Sequence, residues 1–124
     1  MKTIGRTTWA IPGGHIPLRS TGPEPDFTIN DELCILNAGR QDAKVEITVF
    51  YADRDPVGPY RLTVPARRTR HVRFNDLIDP EAMPLDTGDA CIVDADVPIV
   101  VQFNRRDTSQ AENALLGVIA FPVD

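Results

Sequence analysis

Residues 45–52, VEITVFYA, decide the fold, because apolar side chains alternate there with their neighbours. The positions that share one face are Val45, Ile47, Val49 and Tyr51. A period of two residues is typical of a strand with one buried face. Residues 32–37, ELCILN, predict a buried strand before it, and residues 38–44 supply glycine and polar turn residues. We therefore expect these two strands to form a hairpin.

Further short strands are predicted along the rest of the chain. Strand character recurs in residues 60–64, 67–74, 90–94, 98–104 and 114–121. Residues 75–89 predict a long loop with a helical turn at residues 79–83, and residues 95–97 predict a turn between two strands. The 11 prolines and 8 glycines leave little room for long helices. The pattern predicts an all-β protein, a single-domain β-sandwich of seven to eight strands over residues 1–124.

Composition and charge narrow the class of protein. The longest apolar run is residues 114–121, far short of the ~18 residues that a membrane helix needs. The first residues carry no secretion pattern, so we expect a cytoplasmic protein. The formal net charge of the 124 residues is -5, which disfavours general adhesion to nucleic acid. Residues 56–75 nevertheless contain five arginines and no acidic residue, which predicts one basic surface.

The sequence lacks the common signatures of an enzyme. It contains no GxSxG, HExxH or CxxC motif and no glycine-rich phosphate loop. Cys34 and Cys91 lie in apolar surroundings without metal-type spacing, so we expect two reduced core cysteines, no metal and no cofactor. A hydrolase or isomerase that uses Glu112 or Asp107 with His71 is the alternative, and no spacing supports it. We therefore predict a protein without enzymatic activity.

Six segments of the sequence carry a family resemblance. In chain order they are GRTTWAIPGGHIP (5–17), GPEP (22–25), CILNAG (34–39), VEITVFYADRDPVGPYRLTVPARRTRHVRFNDL (45–77), VPIVVQFNRRD (97–107) and QAENALLGVIAF (110–121). Together they resemble the sensory rhodopsin transducer family over nearly the whole chain. The resemblance implies a cytoplasmic β-sandwich that assembles as a cyclic homotetramer and catalyses no reaction.

The resemblance also implies partners. Rhodopsin-linked members dock on the cytoplasmic face of a sensory rhodopsin, whereas for relatives without a rhodopsin it implies a small, sugar-like ligand. We therefore expect a soluble signalling or binding module that binds a small molecule or a receptor and relays the signal as a homo-oligomer. The residues that we place around its pocket, on positions matching the family, are Arg6, Trp9, Asn37, Arg105, Glu112 and Asn113. Core packing of Trp9 stays open as an alternative, as does an ion pair or a subunit interface for Arg105 and Glu112.

The basic stretch predicts a second contact region. The residues that we assign to this partner surface are Arg67, Arg68, Arg70, His71 and Arg73. A DNA-interacting regulator that uses the same surface stays open as an alternative, provided that the basic side chains share a single face.

Overall fold

The fold is built from strands. The computed structural model describes residues 3–15, 30–82, 88–107 and 114–123. Its elements are β1 (Arg6–His15), β2 (Asn30–Asn37), β3 (Ala43–Tyr51), β4 (Val57–Val64), β5 (Arg68–Arg73), a 3-10 turn (Phe74–Asp76), β6 (Gly88–Asp107), β7 (Ala114–Ile119) and β8 (Phe121–Pro122). In these ranges no helix is long and apolar enough to cross a membrane. The prediction of an all-β fold is confirmed.

The strands form two antiparallel sheets that share β6. Sheet A has the order β4-β3-β6-β1-β8, and sheet B has the order β5-β2-β6-β7. The first half of β6 pairs with β1 and β3, and its second half, from Val100 onward, pairs with β2 and β7. One strand of 20 residues therefore carries the chain from one sheet into the other.

The alternating pattern of β3 defines the core. Val45, Ile47 and Val49 are at most 1% exposed, whereas the side chains between them face outward or are half-buried. They pack in one cluster with buried residues of both sheets, including Leu33 and Ile35. Burial of aliphatic side chains at about 25 cal/mol per Å² is the main force that holds two such sheets together.

The predicted hairpin between residues 32–37 and 45–52 is wrong. β2 lies in sheet B between β5 and β6, whereas β3 lies in sheet A between β4 and β6. Residues 38–42 therefore cross between the sheets. Alternation specifies which face of a strand is buried, but it does not specify the neighbouring strand.

Two other local predictions are also wrong. Residues 95–97 form no turn, because β6 continues through them while the Asp96 carboxylate accepts a hydrogen bond from the Lys44 backbone N–H at 2.8 Å. Residues 79–82 form no helical turn; the Glu81 carbonyl oxygen accepts a hydrogen bond from the Tyr60 hydroxyl instead. The short 3-10 turn begins earlier, at Phe74, whose carbonyl accepts the Leu77 N–H.

Candidate functional site

A groove of about 710 Å³ lies at one end of the two sheets. Residues from four segments line it: the residues before β1, the crossing after β2, the turn before β5 and the middle of β6. The lining residues are Thr3, Ile4, Ala38, Gly39, Arg40, Gln41, Arg67, Val97 and Pro98. Apolar walls with a few polar groups are typical of small-molecule sites.

Asn37 fixes the crossing segment that forms one wall of this groove. Its side chain is fully buried at the end of β2. The amide nitrogen donates to the carbonyl oxygens of Gln41 at 2.8 Å and Val64 at 3.0 Å, and the amide oxygen accepts the Gly39 N–H at 3.0 Å. Because Val64 ends β4 of sheet A, this one side chain ties the two sheets together beside the groove.

Arg67 lines the groove from an unusual backbone conformation. Its φ is 58°, in the left-handed region that residues other than glycine seldom occupy. The turn is held by the Asp42 carboxylate, which accepts the Ala66 N–H at 2.9 Å. Arg40 lines the same groove as Arg67. The planar guanidinium group of an arginine is suited to bind carboxylate and phosphate groups.

The structure brings two of the predicted pocket residues to this end of the molecule. Arg6 lies opposite Ile99 in β6, and Leu36, which precedes Asn37, lies opposite Val100. Arg105 lies opposite Asp31, six residues before Asn37 on β2, a separation of about 20 Å at the rise of a strand. Glu112 and Asn113 lie outside the described residues. A pocket that contains all six residues stays a prediction.

Trp9 belongs to the core. Its side chain is 5% exposed, and its indole N–H lies 3.0 Å from the carbonyl oxygens of both Arg6 and Ile99. An indole with a satisfied donor and a buried ring stabilises the contact between β1 and β6. The ring packs inside the protein and does not line the groove.

The predicted partner surface divides between the two faces of β5. Arg68 and Arg70 lie on one face of β5, and His71 and Arg73 lie on the other, because successive side chains of a strand point to opposite faces. Arg70 donates to the Thr63 carbonyl oxygen of β4 at 2.9 Å, on the side that faces sheet A. Arg73 donates two hydrogen bonds to the Asp76 carboxylate, at 3.0 and 3.2 Å. These side chains therefore do not form one continuous basic face.

The outer face of sheet B carries a cluster of three polar side chains that the sequence did not predict. Glu32 and Cys34 point outward from β2, and His71 of β5 lies directly opposite Cys34. The prediction of a core cysteine holds for Cys91, which is 2% exposed, but Cys34 is only half-buried and faces outward. The spacing of Glu32 and Cys34, two residues apart on a strand, was a usable signal. The missing information was the pairing of β2 with β5.

Cys34 lies in an environment that opposes its ionisation. Burial, followed by the charge of the Glu32 carboxylate and a hydrogen bond from the thiol to it, raises the pKa of the Cys34 thiol to about 11. Burial similarly raises the pKa of Cys91 to about 12. Neither cysteine is thus suited to act as a nucleophile at neutral pH without a change in its surroundings.

Fold and groove together define a class: an all-β protein of two antiparallel sheets with a cavity bordered by arginines at one end. Comparison with known proteins gives the family. The family described as Anabaena sensory rhodopsin transducer matches residues 4–122, and the chain belongs to it.

Two solved structures support this assignment. A structure named Anabaena sensory rhodopsin transducer is 60% identical, covers 83% of this chain and 99% of its own, and superposes with a TM-score of 0.76. The crystal structure of Thermotoga maritima 1070 is 26% identical, with 96% of each chain covered and a TM-score of 0.83. The comparison with curated proteins gave no match.

Proposed function

We propose that the protein is a non-enzymatic, cytoplasmic signalling module that binds a small acidic or sugar-like ligand in the groove and relays the bound state as a homo-oligomer. Membership of the transducer family supports a signalling role. Binding would act by shifting an existing conformational equilibrium, because a ligand changes populations only through different affinities for two states.

The single observation that carries the ligand-binding part is the position of Arg67. A left-handed φ at a residue other than glycine costs of the order of 1 kcal/mol and clusters at functional sites. Here it occurs at a residue that lines the groove together with Arg40 and with the apolar residues Ile4, Val97 and Pro98. Two arginines beside an apolar wall favour a ligand with an anionic group and an apolar face, which a sugar acid or sugar phosphate provides.

Calorimetric titration of the full chain with glucuronate, a hexose phosphate and neutral glucose tests the proposal. The two charged compounds should bind more tightly than glucose. Arg67→Gly should weaken their binding at least tenfold without loss of thermal stability, because glycine adopts a φ of 58° at no steric cost. Arg61→Ala is the matched control, since Arg61 lies outside the groove and pairs with Glu46 on sheet A. Equal binding by wild type and Arg67→Gly would refute the groove as the site.

Docking on a sensory rhodopsin is the second candidate. It is supported by the 60% identity with a protein named as a sensory rhodopsin transducer, almost all of which is covered. Sedimentation of the purified chain with a sensory rhodopsin in lipid nanodiscs, against empty nanodiscs of the same lipid, tests it. Retention by the rhodopsin discs alone is expected, and equal retention by empty discs would contradict the receptor role.

The DNA-binding alternative requires basic side chains on one face. Arg70 and Arg73 lie on opposite faces of β5 and are engaged by Thr63 and Asp76, respectively. Because phosphate contacts depend on clustered cations, this arrangement disfavours DNA binding by β5.

A further inference from the structure

The outer face of sheet B brings three different metal-binding donors together. Glu32 and Cys34 share this face because they are two residues apart on β2. His71 joins them because the β2–β5 register places it opposite Cys34. A thiol, an imidazole and a carboxylate are the three side-chain types that zinc binds.

The distances between the donor atoms suit one ion. The Cys34 Sγ lies 3.5 Å from the Glu32 Oε1, and the His71 Nδ1 lies 3.9 Å from the same oxygen. All three donor atoms lie within 4.8 Å of one another. Tetrahedral coordination with bonds of about 2.0 to 2.3 Å needs donor separations of roughly 3.3 to 3.8 Å, so small side-chain rotations would complete the geometry.

A neighbouring amide is placed to support a metal-bound sulfur. The Asn104 amide nitrogen of β6 donates to the Cys34 Sγ at 3.2 Å. The Asn104 amide oxygen accepts a hydrogen bond from Gln102 at 2.8 Å, which fixes the amide orientation. Partners that hold a ligand from outside the coordination sphere typically contribute 10-fold to 100-fold in metal affinity.

The positive charge opposite Glu32 in the register does not exclude a cation. Arg73 lies opposite Glu32 in the register, and it donates two hydrogen bonds to the Asp76 carboxylate. The guanidinium charge is thereby balanced by a partner outside the group of three donors.

We propose that Glu32, Cys34 and His71 form a binding site for a divalent transition-metal ion of the zinc type, with Asn104 as the positioning residue for the sulfur. Binding replaces the thiol proton, which leaves to solvent, by a metal–sulfur bond. The mixed sulfur, nitrogen and oxygen donor set selects zinc, cobalt or nickel over magnesium and calcium, which prefer oxygen donors. Because His71 is exposed and Glu32 and Cys34 are half-buried on the outer face of sheet B, the fourth coordination position is open to water or an external ligand.

Cobalt(II) is the probe for this site. The full chain, freed of metal with a chelator and titrated with cobalt alone, should bind one ion with the visible absorption of tetrahedral cobalt and a near-ultraviolet sulfur-to-cobalt charge-transfer band. Added zinc should remove both signals. Absence of the charge-transfer band when cobalt equals the protein concentration would overturn the proposal.

Substitutions identify the ligands. Cys34→Ser should abolish the charge-transfer band, whereas Cys91→Ala should keep it, because Cys91 lies in the core. His71→Ala should lower cobalt affinity at least tenfold, and Asn104→Leu by about 10-fold while retaining the tetrahedral spectrum. Circular dichroism of each variant establishes that it is folded. A band that survives in folded Cys34→Ser, or an unchanged affinity in His71→Ala, would assign the metal elsewhere and refute the site.

Discussion

At the scale of single residues, the Asn37 amide holds the segment that forms one wall of the groove. Its amide serves three backbone groups and connects the end of β2 with the end of β4. All of these partners lose their bond if the amide is removed, and a buried polar group without a partner costs about 1–3 kcal/mol.

Asn37→Ala should therefore lower the free energy of unfolding by about 3 kcal/mol, measured by urea denaturation. Gln41→Ala is the control, because the structure uses only the Gln41 carbonyl oxygen in this network. The control should change stability by less than about 0.5 kcal/mol. A loss of similar size in both variants would mean that Asn37 acts through something other than its amide.

The thiol of Cys34 offers a second test at this scale. A rise in pKa from 9.0 to about 11 lowers the thiolate fraction at pH 8 by about 100-fold, and the greater nucleophilicity of a more basic thiolate offsets about tenfold of this. Metal-free Cys34 should therefore react with iodoacetamide about tenfold more slowly than an unperturbed thiol.

Glu32→Gln should accelerate that reaction several-fold, because removal of the carboxylate charge lowers the pKa of Cys34. Mass spectrometry of the alkylated chain follows the rate, in a Cys91→Ala background that leaves one thiol. An unchanged or slower rate in Glu32→Gln would contradict the role of the carboxylate.

At the scale of elements, the long strand β6 and its pairing with β1 determine the architecture. Gly5 has a φ of 103°, and a Cβ at this position would come within 2.6 Å of the Ile99 carbonyl carbon. The close approach lets β1 begin where β6 passes from sheet A to sheet B. Only glycine satisfies both the backbone conformation and the contact.

Gly5→Ala should consequently destabilise the protein by about 2–4 kcal/mol, measured by thermal or urea unfolding. Gly13→Ala is a matched control on the same strand, because a Cβ there meets no atom within 4 Å. Equal stability of the two variants would show that the pairing of β1 with β6 does not need a glycine at position 5.

The elements also show what the sequence could predict. The period of two in residues 45–52 was sufficient for β3 and its buried face, because that pattern is local. The strands that pair with β2 could not be predicted in this way. Residues 38–42 form a crossing whose direction depends on the contact between Asn37 and Val64, which are 27 residues apart. His71 lies beside Cys34 because β2 pairs with β5. The spacing of residues in the sequence therefore could not predict the proposed metal site.

At the scale of the whole molecule, apolar side chains remain exposed at the last two strands. Ile119, Phe121 and Val123 are 63%, 68% and 54% exposed, respectively. Among the described residues, β7 pairs only with β6 and β8 pairs only with β1. Open strand edges with apolar side chains favour pairing with another chain. This surface is therefore where we place the contact between subunits of the proposed homo-oligomer.

Phe121→Asp combined with Ile119→Asp should convert the proposed oligomer into monomers, because each subunit contact would then bury unpaired carboxylates. Light scattering during size-exclusion chromatography measures the mass at matched protein concentrations. Ile78→Asp is the control: Ile78 is 69% exposed but lies beside residues of β4 and β5, at the opposite edges of the sheets from β8 and β7. We expect the control to keep the mass of the wild type. If instead Ile78→Asp dissociates the assembly and the double variant leaves it intact, the subunit contact lies on the other side of the molecule.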